Sequence, residues 1–473
     1  MEPYTGNESD GFLARRGAIR GPSSGLPFPF VGSHPRVIAG LIDDELDNLV
    51  CEAFDCTDTD DTFRGKLRAA MDRIQPGVLT SICAYRIGFE GDAATELSLL
   101  ITVLPGSLRP AQAVNAIGEL SAVLESYNER LGNMAIEIAE QIIETIAMSG
   151  RLPGVPSEDI KSTSLGSAPS IGSSIGPEGQ GQSSAGTLGA FFRIVTNGTP
   201  QYFALTCNHV LSSSRMPAIP GSSGTPVHVV CPAWRDHFHW WTAADNVIKH
   251  RSTDARRVSK AVAQKMLCEA SHHPVGTVYA SSGVRTNTPG NWVQDWALIK
   301  LDSKRFPPEE LSNIPLPSSC EVFERLANRN LDDIDWTPRM EFSRAAPRPE
   351  EGSPLFKLGR STGHTVGEYH KIDASASIAY SCDGPNGKQN VTVKGKVHVV
   401  LGSDSSPRFA AGGDSGALVL NGHAEPVGLL TAVADGSVAH GVGYVASFAP
   451  ILDNIKEVVQ RGPDAKKIEV EFL

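Results

Sequence analysis

A mainly β protein is predicted, with a small α/β (α+β) domain ahead of it. Three observations lead there. Two groups of about six short runs, each alternating or briefly apolar and bounded by turn residues, occupy the later part of the chain. A Ser/Gly/Pro stretch, STSLGSAPSIGSSIGPEGQGQSSAG, sets them off from what precedes. Before that stretch, helix-spaced and strand-like segments are mixed. The two strand groups suit two barrels or a sandwich.

In chain order, residues 1–35 are rich in Gly, Pro, Ser and Arg without apolar periodicity and read as a disordered tail. Residues 36–160 form the N-terminal domain. There AGLIDDELDNLVCEAF and RPAQAVNAIGELSAVLESYNERL have helical spacing, and LTSICAYRIGF and TELSLLITVLP read as strands. NMAIEIAEQIIETI fits either a strand or a helix. No chemistry is evident in this domain, so its expected role is structural, and it is the expected seat of any homo-oligomer. Residues 161–185 read as a flexible linker. Residues 186–460 carry the two β groups, separated by a polar, Pro-rich segment near 303–353, with APILDNIKEVVQ closing them as an amphipathic helix; 461–473 read as a C-terminal tail.

The chain has 473 residues, 40% hydrophobic and 20% charged, as in soluble globular proteins. Its formal net charge of −11 argues against nucleic acid or an anionic membrane as the main partner. The first residues lack a secretion signal, and no apolar run approaches the roughly 20 residues that span a bilayer. Eight cysteines are scattered without a CxxC pair. They read as reduced thiols of an intracellular protein, cytoplasmic or nuclear. The sequons at Asn197 and Asn390 are then idle.

Three short motifs carry the chemistry. ALTCNHVL places His209 after a strand, QDWALIKL places Asp295 at the head of another, and GGDSGALVL places Ser415 in a glycine-rich turn. A serine hydroxyl needs an imidazole to take its proton. The imidazole needs a carboxylate to fix its tautomer. The turn can aim the N–H groups of Gly413 and Ser415 at one developing oxyanion, each such donor contributing about 3 kcal/mol. A lone Gly-Asp-Ser-Gly is turn chemistry; the three motifs together, each beside an apolar run, point to nucleophilic catalysis.

TCNHV, DWALIKL and GDSGALV resemble the signature blocks of trypsin-like serine proteases of the chymotrypsin fold, nearest the intracellular Deg-type branch. SSIG, AGTLGAFF and FKLGRSTGHTVGEY resemble blocks of the narrow-leaf-type branch. The resemblance covers about residues 172–460 and implies a chymotrypsin-like double β-barrel acting as a serine endopeptidase on protein or peptide substrates, with no cofactor. It implies His209 as general base, Asp295 as its orienting acid, Ser415 as nucleophile, and Gly413 with Ser415 as oxyanion donors. Thr431 would touch the triad carboxylate, and Thr431, Ala432 and Val433 would pair with substrate backbone. Phe409 would lie at the floor of an apolar or small specificity pocket.

Two departures from the family pattern matter. Val210 and Ala411 stand where extracellular relatives have disulfide cysteines. About 170 residues precede this region and no basic cleavage site leads into SSIG, so Asp414 needs a partner other than a freed N-terminus, or the turn is held without one. Activity without processing is therefore expected. His237, His239, His272 and His273 show no ligand spacing, so no metal is expected. Trp240 and Trp241 are expected in an insertion packed on the first barrel. The alternative function is a silent or weakly active peptide-binding or assembly protein on a protease fold.

Overall fold

The computed structural model describes residues 4–5, 12–16, 36–42, 44–56, 61–89, 95–145, 169–179, 184–212, 215–222, 225–250, 254–271, 273–287, 290–313, 348–384, 387–403, 408–435, 441–462 and 468–473. Most of the expected 1–35 tail lies outside them, as do residues 314–347 of the Pro-rich segment and His272.

The N-terminal region holds β1 (Tyr4–Thr5), β2 (Phe12–Arg16), β3 (Arg36–Ala39), β4 (Leu79–Phe89), β5 (Glu96–Val103), β6 (Ala135–Glu140) and β7 (Ile142–Glu144). Helices Glu45–Phe54, Phe63–Ile74 and Pro110–Tyr127 accompany them. Asp44 caps the first by accepting from the Leu46 and Asp47 N–H groups, an effect of about 1 kcal/mol. Helix Phe63–Ile74 is absent from the sequence reading because Arg64, Lys66, Arg68 and Arg73 dilute its apolar spacing. Its Phe63, Leu67, Ala70 and Met71 are nonetheless buried. The ambiguous NMAIEIAEQIIETI is two strands, and β6 pairs in parallel with β5.

The first β unit comprises β8 (Ser174–Pro177), β9 (Gly186–Thr187), β10 (Ala190–Thr196), β11 (Thr199–Thr206), β12 (His228–Cys231), β13 (His273–Ser281), β14 (Arg285–Thr286), β15 (Val293–Gln294) and β16 (Ala297–Leu301). The second comprises β17 (Pro354–Gly359), β18 (Gly363–Gly384), β19 (Gly387–Gly402), β20 (Leu418–Leu420), β21 (Pro426–Asp435) and β22 (Gly443–Ser447), followed by helix Phe448–Gln460 and β23 (Ile468–Phe472). Pairing in the second unit runs β18–β17–β20–β21–β22–β19 and returns to β18, a closed six-stranded barrel. The first unit's main sheet runs β23–β10–β11–β16–β13–β12–β8–β9 around a core that includes Phe192, Phe203, Trp296 and Ile451. Each such large apolar side chain contributes about 1.5–3 kcal/mol on burial. The fold is thus mainly β, a closed barrel and a second β unit, with a small N-terminal α/β region.

Two expectations change and a third gains detail. Residues 169–179 of the expected 161–185 linker are ordered into the first unit, with Ser173 and Ser174 fully buried. Serine and glycine there serve close packing: a Cβ on Gly176 would sit 2.8 Å from the Ser184 carbonyl oxygen. The expected C-terminal tail ends in β23, which pairs with β10, and the Phe472 ring lies 5.6 Å from that of Phe192. The Trp-containing insertion is a pair of helices, Trp234–Lys249 and Ala255–Ser271. Trp240 is buried against Cys268 of the second helix, with Trp241 packed beside it, so this insertion makes its own small core.

The N-terminal region is also continuous with the second barrel. β4 pairs with β18 at Ile82–Ser375 and Ser81–Ala376, and one apolar cluster spans both.

Candidate active site

His209 lies on a single helical turn, Asn208–Leu211, directly after β11. Asp295 sits between β15 and β16 and is fully buried. One carboxylate oxygen accepts from the His209 backbone N–H at 3.0 Å, and the other lies 2.5 Å from His209 Nδ1. The first bond fixes the backbone that carries the ring. The second assigns the proton to Nδ1 and leaves Nε2 as the basic nitrogen. That Nε2 is buried and has no hydrogen-bond partner among the described residues.

Across the seam, Ser415 is almost fully buried on the turn before β20. Gly413 has φ +96°, a conformation that L side chains rarely adopt, and an added Cβ would meet Arg360 Nη1 at 1.9 Å. The turn is held on both faces. Thr187 of the first unit donates its N–H to the Ser415 carbonyl (2.9 Å) and its hydroxyl to the Gly413 carbonyl (3.0 Å). Close approach of the two units is enforced at Gly189, where a Cβ would lie 2.1 Å from the Gly416 carbonyl oxygen.

Asp414 has an internal cation. Lys357 Nζ lies 3.0 Å from its Oδ2, and both side chains are fully buried. The carboxylate also accepts from the Thr362 hydroxyl (2.7 Å) and from the N–H groups of Ala411 (3.0 Å), Ser361 (2.8 Å) and Thr362 (3.1 Å). Burial works to raise its pKa, but Lys357 and these donors hold it below the ordinary carboxylate value. Beside it, the Arg360 guanidinium pairs with Asp236 of the insertion helix, which also accepts from the Ser174 hydroxyl at 2.6 Å.

The remaining leg differs from expectation. Ser415 Oγ donates to the Thr431 carbonyl at 3.4 Å, and no hydrogen bond joins it to His209 Nε2 among the described residues. The Tyr380 ring stands edge-on to the imidazole at 5.8 Å. Burial and the Asp295 charge raise the Tyr380 hydroxyl well above its usual pKa, so it stays protonated. The Thr431 hydroxyl donates to the Leu429 carbonyl at 3.2 Å, while Cys207 Sγ is the donor atom grouped with His209 and Asp295. Burial, then the Asp295 charge, raises the Cys207 thiol well above its usual pKa, so it is a protonated thiol. Thr431, Ala432 and Val433 lie on β21. Phe409 is fully buried, in one apolar cluster with Leu430 and Val433. His237 Nε2 lies 2.8 Å from the Cys268 carbonyl oxygen, away from His209, Asp295 and Ser415 in sequence and element.

Lys357, Thr187 and Tyr380 were not found from sequence. Only Lys357 left a signal, a lone cation inside the apolar run PLFKLG.

No family model and no curated protein matches the chain. Among solved structures it is similar to a glutamic acid-specific serine protease that uses a histidine triad in substrate binding (15% identity, 60% of this chain and 97% of that one, TM-score 0.25). It is also similar to Cellulomonas bogoriensis chymotrypsin (15%, 64% and 97%, TM-score 0.27). A serine endoprotease from Yersinia pestis matches at 12% identity over 57% of this chain and 63% of that one, with a TM-score of 0.21.

Proposed function

We propose that the protein is an intracellular serine endopeptidase acting on protein or peptide substrates. One observation carries the reading: a buried His209–Asp295 pair and a glycine-flanked Ser415 face a single seam between two β units. Ser415 Oγ turns from the Thr431 carbonyl to His209 Nε2, which takes its proton as Oγ attacks the peptide carbonyl. The N–H groups of Gly413 and Ser415, neither engaged in a hydrogen bond among the described residues, receive the oxyanion. His209 then protonates the departing amine and later activates the water that hydrolyses the acyl-enzyme. Thr431, Ala432 and Val433 pair with substrate backbone, and Phe409 supplies apolar wall behind them. The Lys357–Asp414 pair supports activity without processing, because it holds the nucleophile turn with a cation already in the chain. Free thiols at all seven described cysteines support a reducing compartment.

A second reading, a peptide-binding or assembly protein, is favoured by the unmade Ser415–His209 bond. A fluorophosphonate separates the two. The unclipped wild type should be labelled, and the Ser415→Ala variant should not. Well-folded wild type that resists labelling sinks the enzyme reading.

A further inference from the structure

We propose that β7 is an internal occupant of the peptide-pairing edge, so that the chain holds its own substrate strand covered until Ile142–Thr145 is displaced. The inference rests on the reading of Thr431–Val433 as that edge.

One side of β21 is paired with β22. On the other side, Leu418–Leu420 of β20 covers Pro426–Leu429, and Leu430 exchanges backbone bonds with Gly416 and Ala417. The edge that remains begins at Thr431, whose carbonyl accepts from the Ser415 hydroxyl. A peptide reaching the nucleophile would add its strand there. β7 takes it from Val433 onward: Val433, Ala434 and Asp435 pair antiparallel with Glu144, Ile143 and Ile142. β7 runs toward the serine end of β21, since its numbering rises as that of β21 falls. Thr431 is two residues from Val433, about 7 Å along the strand.

The occupant is fastened on its other side as well. Glu144 pairs in parallel with Ala379 of β18, and the Thr145 N–H and hydroxyl both donate to the Ala379 carbonyl, at 3.3 and 3.1 Å. The next residue, Tyr380, is the one whose ring stands against His209. Ile143 is buried in the core shared with the N-terminal region. An incoming peptide therefore meets a filled slot beside a formed nucleophile turn. A small phosphonate, which needs the serine but no edge strand, meets no such obstacle.

The test uses the full chain carrying Ser415→Ala and a fluorescein-labelled peptide, AEQIIETIAMS, matching residues 139–149. Glu144→Pro removes an N–H from a strand paired on both edges. It should bind the peptide about tenfold more tightly than the parent, the gain expected when an edge free a tenth of the time becomes free throughout. Thr145→Ala, losing one hydroxyl bond, should gain about threefold. Equal affinity in parent and variants, measured by fluorescence anisotropy, overturns the inference. Should Glu144→Pro melt below the assay temperature, Thr145→Ala decides on the same criterion. Fluorophosphonate labelling of the wild type keeps the two ideas apart. Labelling with no variant gain in peptide affinity removes the covered edge and leaves the serine hydrolase. Variant gain without labelling removes the hydrolase and leaves the covered edge.

Discussion

The two sides of the proposed catalytic seam are built differently. On the nucleophile side every strained or charged group is satisfied: Gly413 holds φ +96°, Asp414 accepts five hydrogen bonds, and Lys357 is buried with it. On the base side His209 is fixed through Nδ1 and its own backbone, while Nε2 is left bare. The turn is a structural object in its own right, whereas the proposed proton path between the sides requires the serine hydroxyl to leave the Thr431 carbonyl.

The strongest challenge to this contrast is Asp295→Asn. It keeps the shape of the pair but favours the wrong imidazole tautomer, and kcat for a peptide substrate should fall by about 10⁴-fold. A fall of less than tenfold would mean that the base side does not depend on the carboxylate. Next is Lys357→Met. It leaves the Asp414 charge buried and unpaired, which should cost about 3–5 kcal/mol in denaturant unfolding. The double variant with Asp414→Asn should recover part of that loss, and failure to recover would show that the pair is not the holding element. Gly413→Ala should cost about 1–3 kcal/mol of backbone strain and slow fluorophosphonate labelling, with unchanged labelling counting against the turn as oxyanion donor.

A pH-dependent effect is expected at the joint to the N-terminal region. His370 Nε2 lies 2.7 Å from the Ala84 carbonyl, and Nδ1 lies 3.2 Å from Glu351. Burial opposes its charge, yet Cys83 and Glu351 outweigh that and raise its pKa from 6.5 to about 10. A raised histidine pKa gives stabilisation that is full below the unfolded value and lost as pH rises through the folded one. The gap in Tm between wild type and His370→Gln should therefore narrow from about pH 6 to pH 10. A constant gap would show that charge has no part in the joint.

Much of this was legible in sequence because the signals were local. Alternation marked β10, β11 and β16, and the three short motifs marked His209, Asp295 and Ser415. What escaped depends on contacts distant in sequence. Lys357 and Asp414 are 57 residues apart, and Thr187 reaches a carbonyl 226 residues on. β7 reads as an ordinary apolar run, and only its pairing with β21 gives it meaning. Glycine and serine near residue 174 resembled a linker because flexibility and tight packing call for the same small side chains.

The pairing of β10 with β23 has a consequence for synthesis. Phe192 aligns with Phe472, so the outer edge of β10 stays bare while 280 further residues are translated. At roughly 5–20 residues per second that interval is on the order of 15–60 s. Throughout it, a nascent chain on the ribosome presents an unpaired aromatic strand to its neighbours, which makes this edge one that a chaperone would have to guard.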